Sequence, residues 1–533
     1  MNYVFSSTLE PAFTRWLAPA TVRGLAVSDT QLAIATADGT TWTVNLNDEA
    51  AARRFLVVVE TSGRRPWAWR AVQAVRTLTE RLQLDVDELT FVRDAVTAHA
   101  VIRPLVRFRP RAELDRFSTE QPDLIGNGAV RDAIAVAKAA ADISLRTPNE
   151  TRPEVLHSCD QESLWRRRQV DGIRLDVELL RAEKADAETT RALHAAEYGI
   201  DFVDTTTDRC KARIHHWLGQ HGIKITTRDG RLTLARDAYD YVRVPMEAED
   251  AWSAFRKARK VASRLGKLAE LEKAAVDGVL YPQINIRDTR TGRGTVRKPA
   301  LQNIHKDLRP LLIAPEGYLL VSLDLDQAEV RVAAGLSQCE ALLAALNAAD
   351  FYTEIARKVW GDEAFDSSGV VLVDRRNQAK RLIIAIFYGL GSGAIAYEFG
   401  ISWDEAAALI AGMWNMFPGL TAFDAHLQTM VREDEDLYTM SMRPVPSPKK
   451  RFAALNNVVQ ANAADIFYDG VTRTAAVVGA EHLYLAVHDE LVLCVPEGRE
   501  EWAAAALNEN MPSLFRGVPV TGSAQILGRA WRK

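Results

Sequence analysis

Two acidic segments, each placed at the end of a short apolar run, constrain this chain most. Tyr318-Leu-Leu-Val-Ser-Leu-Asp324 predicts a buried strand that ends in a carboxylate. Far downstream, two apolar runs flank His488-Asp489-Glu490, a pattern typical of a β-hairpin with acids at its turn. A carboxylate at a buried strand end is costly unless a cation compensates it, although Asp is also a common helix cap and turn former. Brought together, the two segments could hold two Mg²⁺ ions for phosphoryl transfer.

Composition limits the class of protein. With 533 residues, 47% hydrophobic and 26% charged, the chain is long enough for roughly three to four domains with ordinary cores. Its net charge of −4 excludes a uniformly basic protein but allows local basic surfaces. Four widely spaced cysteines indicate neither a zinc site nor a disulfide framework, and no stretch approaches the roughly 20 apolar residues of a membrane span. We expect a cytoplasmic protein with no membrane partner.

Breaks in the sequence pattern suggest a first domain boundary. Short apolar runs between residues 22 and 46, followed by helical patterning to about residue 145, predict one compact α/β unit. A break near residue 150 precedes a charged, helix-rich stretch that extends to about residue 277. We therefore expect a domain boundary near residue 150.

Three separated basic windows stand out in this net-acidic chain: 252–267, 287–309 and 438–464. The first and third contain no acid, and the second has seven cations against Asp288 and Asp307. Each window alone is typical of a solvated helix face. Together they indicate a groove for a polyanion, so nucleic acid is the leading partner.

Between the acidic segments, residues 374–389 predict a helix capped by Asp374 and ended by Gly389. One face of it carries a residue at every fourth position: Arg376, Lys380, Ile384 and Tyr388. Such a face could bind a nucleotide, with cations on the phosphates and the aromatic ring against the base. Taken alone, the segment is more typical of an amphipathic helix with two solvated cations, and the acidic segments shift the interpretation toward nucleotide binding.

Three segments occur in the following order along the chain: Asp324-Leu-Asp-Gln-Ala-Glu-Val-Arg331, Arg376 to Gly389, and Val487-His-Asp-Glu-Leu491. They resemble motifs A, B and C of the DNA polymerase I family, family A. Supporting matches are Thr291-Gly-Arg293, Leu301-Gln-Asn-Ile304, Asp350-Phe-Tyr-Thr353, and Asn456 with Gln460 ahead of Ala463-Ala-Asp465. The resemblance covers residues 160–533, and the number of ordered motifs makes it specific.

The resemblance implies an α+β fold: a right-hand polymerase with palm, fingers and thumb, preceded by an α/β exonuclease-like (RNase H-like) domain. The implied boundaries are 1–150 for the exonuclease-like domain, 151–290 for the thumb and 336–450 for the fingers. The palm would be formed by residues 291–335 and 451–533.

The resemblance also implies roles for single residues. Asp324 and Asp489 would bind two Mg²⁺ ions, with Mn²⁺ as the alternative, together with the backbone carbonyl of Leu325. Glu490 would be a further catalytic acid beside them. Arg376 and Lys380 would bind the triphosphate of the incoming nucleotide, and Ile384 would also contact this nucleotide. Tyr388 would lie beside the nascent base pair. Glu329 would act as a steric gate against a ribose 2′-hydroxyl. Contacts to primer–template DNA would come from Arg293, Gln302, Asn303, Arg331, Asn456, Gln460 and His488.

Some positions depart from the family pattern. Ile384 replaces an aromatic residue that packs on the incoming sugar, so we expect altered discrimination against dideoxynucleotides. Leu325, Asp326 and Ala486 replace Tyr, Ser and Gln, which affects the expected primer placement but not the metal site.

The N-terminal unit lacks the expected exonuclease acids. The nearest match to the family's Asp-x-Glu is Asp29-Thr-Gln31, residues 66–84 offer no counterpart for the middle Asp, and only Asp142 could match the late one. We expect an exonuclease-like fold without proofreading and no region for a 5′ nuclease.

The sequence thus predicts a template-directed, DNA-dependent DNA polymerase that adds deoxynucleotides to a primer 3′ end. Two alternatives stay open. One is a polymerase-derived protein that binds primer and template without chemistry, and the other is a reverse transcriptase-like enzyme. Glu329 argues against ribonucleotide use but does not decide between a DNA and an RNA template.

Overall fold

The computed structural model describes three stretches of the chain. They are 2–94 without positions 7, 20, 69, 70, 90 and 91; 133–141 without 135 and 139; and 152–532 without 228, 229, 236, 237, 240, 241, 243 and 390. Asp142, the proposed late exonuclease acid, lies outside them.

The N-terminal unit contains a mixed sheet of six described strands. Their spatial order is Asn2–Val4, Thr41–Asn45, Gln31–Thr36, Arg23–Val27, Trp67–Ala68 and Arg93–Asp94. The three strands between residues 23 and 45 pair antiparallel, and the outer strands pair parallel. Helices with buried apolar faces accompany the sheet: Glu10–Leu17, Glu49–Thr61 and Ala71–Leu82. The predicted α/β unit is present, and Asp29 is exposed in one of its turns.

A second sheet carries both acidic segments, and we call it the acid-bearing sheet. Its four antiparallel strands are, in spatial order, Leu483–Val487, Glu490–Pro496, Tyr318–Leu325 and Gly522–Gly528. The helix Glu500–Asn510 packs on these strands. A long, largely buried helix, Ala454–Val478, packs against the helix Glu500–Asn510. We call it the central helix.

The remaining helices lie on either side of the strand that carries Asp324. Those before it are Arg152–Ser163, Arg166–Asp171, Val177–Tyr198, Asp208–Gln220 and Glu249–Ala274. Those after it are Ala328–Ser337, Glu340–Leu346, Phe351–Trp360, Val373–Tyr388, Ser392–Phe399, Trp403–Met416 and Pro418–Arg432.

Short strands complete the described part. One sheet has the order Leu312–Ile313, Ile173–Leu175, Val279–Leu280 and Ala275–Val276. Three further pairs are Gln283–Asn285 with Thr295–Arg297, Leu437–Tyr438 with Pro444–Val445, and Ser513–Phe515 with Val518–Val520.

None of the helices in the described stretches is by itself long and apolar enough to cross a membrane. The helices Trp403–Met416 and Pro418–Arg432 meet the length and composition criteria only when joined, and they are bent by 98° at their junction.

A buried group of charged residues attaches an early helix to the central helix. Arg287, 1% exposed, donates to Asp465 at 2.7 Å and to Glu154 at 3.2 Å. Arg443 donates to the same Asp465 oxygen at 2.8 Å. Burial acts to raise the pKa of Asp465, but Arg443 and Arg287 outweigh it and hold the pKa below its ordinary value.

This buried group corrects the interpretation of the basic windows. Arg287 and Arg443 were counted there as part of a polyanion groove, yet both are buried in ion pairs. A count of cations along the sequence includes those that neutralise buried carboxylates. Only the exposure of each side chain in the structure distinguishes these from cations that could bind a polyanion.

Another buried arginine joins the N-terminal unit to the rest of the chain. Arg166 is fully buried and donates to the backbone carbonyls of Leu89 at 3.3 Å and Val92 at 2.6 Å. Its charge is paired with Glu162, one helical turn earlier, at 2.7 Å. The junction therefore depends on hydrogen bonds to backbone atoms of the N-terminal unit.

Candidate active site

Backbone pairing brings the two acidic segments together at one end of the acid-bearing sheet. Asp324, next to last in its strand, lies opposite Glu490 in the antiparallel register. His488 and Asp489 form the turn of the predicted hairpin, with His488 at φ 56°. The Asp489 carbonyl accepts a hydrogen bond from the Leu325 N–H at 3.1 Å. Asp324 and Asp489 are thus neighbours, as the two sequence patterns predicted.

The electrostatics of Asp489 favour a bound cation. Burial is the main reason that its pKa lies above the ordinary range. Arg293, whose guanidinium is 3.5 Å from the Asp489 carboxylate, opposes this shift, and the charge of Asp324 adds to it. A cation between the two carboxylates would offset their repulsion.

The donor set at this position fits magnesium. Two carboxylates and nearby backbone carbonyls are hard oxygen ligands of the kind that Mg²⁺ takes. In the described stretches, no three His, Cys, Asp or Glu side chains are gathered as a metal site. Protein sites that bind Mg²⁺ together with substrate phosphates commonly use only one or two carboxylates, so the phosphates would complete the coordination here.

Glu329 lies beside these carboxylates, in the first turn of the helix Ala328–Ser337. Its carboxylate accepts a hydrogen bond from Arg293, the same residue that faces Asp489. Burial is the main cause that raises the pKa of Glu329, and hydrogen bonds from Arg293 and Gln460 oppose it. Separate parts of the sequence therefore supply four predicted residues that meet here: Arg293, Glu329, Gln460 and Asp489.

The helix Val373–Tyr388, called here the cation helix, presents Arg376 and Lys380 on one side. Arg376 forms a bidentate pair with Asp350, at 2.9 and 2.8 Å. The hydrogen bond from Arg376 is the main cause that lowers the pKa of Asp350 to about 2, so this pair stays ionised at neutral pH. Lys380 is exposed.

Tyr352 lies against the cations of the cation helix, and the sequence patterns gave it no role. Its ring centroid is 5.5 Å from the Arg376 guanidinium carbon and 5.8 Å from the Lys380 ammonium. Burial is the main cause that raises its pKa, and the charge of Glu329 adds to the shift. The sequence did contain a clue, the aromatic pair within Asp350-Phe-Tyr-Thr353. A motif match, however, does not show which way each ring points.

The ends of the cation helix correct one expectation and confirm another. The helix begins at Val373, so Asp374 lies in its first turn and does not cap it. It ends before Gly389, whose φ of 61° is the left-handed conformation expected of a terminating glycine.

Ile384 is 40% exposed. Tyr388 is the last helical residue, and its side chain lies outside what the structure describes.

Glu490 is held by structural contacts. It is 3% exposed, and its carboxylate accepts from Arg309 at 3.3 Å and from the Trp531 indole N–H at 3.3 Å. The guanidinium of Arg309 also stacks over the Trp531 ring, at 4.2 Å from its centroid. Glu490 therefore lies beside the catalytic candidates in sequence, and its side chain contacts Arg309 and Trp531.

The residues predicted to contact DNA occupy different environments. Gln302 donates to the Gly294 carbonyl at 2.9 Å, and Arg331 donates to the carbonyls of Asp326 and Pro519 at 3.0 and 2.9 Å. These side chains support local backbone.

Three other DNA-contact candidates differ in their exposure. Asn303 and His488 are exposed. The Oδ1 atom of Asn456 is buried without a hydrogen-bond partner in the part of the chain that the structure describes. An orphan acceptor of this kind is a candidate for a ligand contact.

Comparisons with known proteins agree with this arrangement. The sequence profile of DNA polymerase family A matches residues 221–533. "DNA polymerase I, thermostable" of Thermus filiformis is 30% identical over 391 residues, which are 68% of this chain and 46% of that protein. The "DNA polymerase" of Mycobacterium phage D29 is 23% identical over 412 residues, 75% of this chain and 67% of that protein. The chain thus spans about half the length of the Thermus relative.

A solved structure has the same fold. It is the "POL domain of Pol1 from M. smegmatis complex with DNA primer-template and dNTP". The TM-score is 0.82 at 22% identity, with 100% of this chain and 99% of that one covered. This similarity confirms the predicted α+β right-hand fold.

Proposed function

The chain belongs to DNA polymerase family A, and from this membership we propose that it is a template-directed DNA polymerase. It would extend a primer 3′ end with deoxynucleotides, and its partners would be primer–template DNA and deoxynucleoside triphosphates. One observation carries the proposal: Asp324 and Asp489 meet beside the Arg293–Glu329 pair, and the neighbouring cation helix presents Arg376 and Lys380 against the ring of Tyr352.

The chemistry is attack of the primer 3′-hydroxyl on the α-phosphate, with pyrophosphate as the leaving group. The family is one of metal-dependent nucleotidyltransferases, and we propose two Mg²⁺ ions, with Mn²⁺ as the alternative, held by Asp324, Asp489 and the Leu325 carbonyl. When bound, such ions lower the pKa of the attacking hydroxyl and neutralise charge on the leaving phosphates.

The rest of the site positions the nucleotide. Arg376 and Lys380 would hold the triphosphate, with Asp350 fixing the direction of the Arg376 guanidinium fork. Tyr388 would border the base pair, and Asn456, Gln460, His488 and Arg293 would meet primer or template. Bidentate and charge-assisted contacts of this kind supply most of catalysis in phosphoryl transfer, where placement of the reactants dominates.

We also propose the domain division given by the motifs. The acid-bearing sheet is built from strands within 291–335 and 451–533, which supports a palm assembled from both segments. The cation helix lies within 336–450, which supports fingers there. The thumb would occupy 151–290, and the exonuclease-like domain at 1–150 would be inactive.

The test is extension of a labelled DNA primer on DNA and RNA templates with Mg²⁺, supplying deoxynucleotides or ribonucleotides. Deoxynucleotide extension that copies the DNA template supports the proposal, and no shortening of a mismatched primer supports an inactive exonuclease-like domain. Tight binding without extension would favour a non-catalytic binding protein. More efficient copying of RNA than of DNA would favour a reverse transcriptase-like enzyme.

Glu329→Ala is expected to increase ribonucleotide incorporation relative to deoxynucleotide incorporation by at least about tenfold. The reason is steric, because the buried carboxylate occupies space that a 2′-hydroxyl would need, and about 1.4 kcal/mol of discrimination corresponds to tenfold. Single-nucleotide insertion kinetics measure the ratio. Glu329→Gln keeps the volume and should retain the preference, and Glu340→Ala, in the first turn of the next helix, is the surface control. Equal ratios in Glu329→Ala and wild type would contradict the gate.

Ile384→Phe is expected to change discrimination between dideoxynucleotides and deoxynucleotides. Ile384 is 40% exposed on the nucleotide side of the cation helix, so a ring there would have room to pack on the incoming sugar. The measurement is competitive incorporation of the two nucleotides by wild type and variant. Identical selectivity in both proteins would show that this position does not sense the sugar.

A further inference from the structure

Arg293 reaches the candidate active site from a turn between two short strands. The turn joins Gln283–Asn285 to Thr295–Arg297, which pair antiparallel. From it Arg293 contacts two acids, since it donates a hydrogen bond to Glu329 and its guanidinium is 3.5 Å from Asp489. A displacement of about 1 Å is enough to lose such contacts. The placement of the turn therefore decides whether Arg293 meets both carboxylates.

Arg443 supports the first half of this turn. Its buried guanidinium donates to the Thr291 carbonyl at 3.2 Å and to Asp465 at 2.8 Å. Gly292 lies so close that a Cβ atom there would overlap with the guanidinium, and its φ of 82° is a conformation that glycine adopts readily. The first half of the turn is therefore seated on the buried ion pairs of the central helix.

Tyr468 of the central helix supports the second half, at Gly294. Its side chain is buried, and its hydroxyl accepts a backbone hydrogen bond from Gly294. A Cβ atom at Gly294 would overlap with the hydroxyl oxygen, so the lack of a side chain there allows this contact. Burial is the main cause that raises the pKa of Tyr468 to about 12, so the hydroxyl is neutral at physiological pH. The Tyr468 hydroxyl thus touches the backbone directly after Arg293.

The ring of Tyr468 is itself held in place. The Arg287 guanidinium carbon is 4.9 Å from the ring centroid, and Arg287 donates to Asp465 at 2.7 Å. Asp465 lies three residues before Tyr468 on the same face of the central helix. Gln460 of this helix also hydrogen-bonds Glu329. The same helix therefore supports the turn and contacts one of the acids that the turn approaches.

From these contacts we propose that Tyr468 is a positioning residue, which holds Arg293 on Glu329 and Asp489 through the backbone of Gly294. The inference rests on the proposed polymerase function. Because Arg293 in turn fixes the Glu329 carboxylate, loss of the Tyr468 hydroxyl slows nucleotide addition and also loosens the barrier against a ribose 2′-hydroxyl.

The test begins with Tyr468→Phe, which keeps the ring and removes only the hydroxyl. Single-nucleotide insertion should slow by about fivefold, the equivalent of one buried hydrogen bond, and ribonucleotide use relative to deoxynucleotide use should rise. Tyr484→Phe is the matched control, because it removes a buried hydroxyl that donates to the Ile313 carbonyl at 3.0 Å. Both variants should lower the urea midpoint similarly, while Tyr484→Phe keeps the wild-type rate and sugar preference.

A double-mutant cycle measures whether Tyr468 acts through Arg293. Arg293→Ala should slow insertion, and adding Tyr468→Phe to it should change the rate by less than about twofold. Losses that multiply, as independent effects do, would overturn the proposal.

A second pair of variants tests the contact itself. Gly294→Ala places a methyl group against the Tyr468 hydroxyl and should slow insertion more than Tyr468→Phe does. Combining the two should restore part of the rate. With the hydroxyl removed, the new Cβ would be 3.4 Å from the ring and 3.0 Å from the Asn285 carbonyl oxygen. No recovery in the double variant would contradict the contact.

Primer–template affinity, measured by fluorescence anisotropy, separates this proposal from the polymerase proposal because it needs no chemistry. If wild type extends primers but Tyr468→Phe behaves as Tyr484→Phe does, the positioning role is wrong and the polymerase stands. If wild type extends no primer while Tyr468→Phe and Arg293→Ala weaken DNA binding non-additively, the positioning role stands and the polymerase proposal is refuted.

Discussion

Asp324→Asn is expected to reduce primer extension by about a thousandfold or more, while primer–template affinity changes by less than about threefold. The substitution keeps the shape of the side chain but removes one of the two charges that meet at the end of the acid-bearing sheet. Metal stabilisation of phosphoryl transfer is worth several kcal/mol, and about 4 kcal/mol corresponds to a thousandfold in rate. Single-turnover extension and fluorescence anisotropy measure the two quantities.

Asp326→Asn is the matched control for this experiment. Asp326 is exposed two residues farther along the chain, and its backbone accepts a hydrogen bond from Arg331 and donates one to the Thr521 carbonyl. We expect its extension rate to stay within about twofold of wild type, because Asp326 is not one of the two acids proposed to hold the metal ions. Full activity in Asp324→Asn would refute the assignment of Asp324. Similar losses in both variants would indicate a general effect of negative charge.

Asp465→Ala is expected to destabilise the protein by about 3–5 kcal/mol. The substitution leaves the buried guanidinium groups of Arg287 and Arg443 without their shared acceptor, and an unpaired buried charge is far more costly than a lost surface contact. Chemical unfolding monitored by tryptophan fluorescence measures the effect, as a lower urea midpoint for the transition that includes the central helix.

The control is an exposed ion pair. Glu433→Gln removes the partner of Arg432, at 3.6 Å, with both side chains more than half exposed. Such pairs contribute at most about 1 kcal/mol, so the midpoint should hardly move. If Asp465→Ala unfolds at the same urea concentration as Glu433→Gln, the buried cluster does not stabilise the fold.

The core of the candidate site could be predicted because it depends on short-range patterns. An apolar run of strand length fixes where a strand ends, and the residue that follows is then placed at the edge of a sheet. Asp324 lies next to last in its strand and Asp489 lies in the turn between two strands, so their meeting required only that the sheet place both segments at the same end. The resemblance to the family motifs implied that the two acids share one metal site.

Other features depend on contacts between distant residues, which a linear pattern does not contain. Arg287 and Arg443 look like surface cations until Asp465 is placed between them. Tyr352 gains its position from the approach of the cation helix.

Local patterns can also be too weak to show an element. The three-residue strand Asn2–Val4 shows no usable alternation, and the helix Glu10–Leu17 buries only Phe13 and Leu17. Elements this small are specified by the surface on which they pack and not by their own sequence.

The Arg166 junction bears on how such a chain can change over evolutionary time. Its contacts in the N-terminal unit are the main-chain oxygens of Leu89 and Val92, which every amino acid supplies. Substitutions in that unit therefore leave these two hydrogen bonds in place, whereas the side-chain pairs Arg65–Asp160 and Arg167–Asp85, which also cross the junction, depend on residue type. Deleting the unit would instead leave a buried arginine without two acceptors. At these two contacts a change of side chain in the unit is tolerated, while loss of its backbone is penalised.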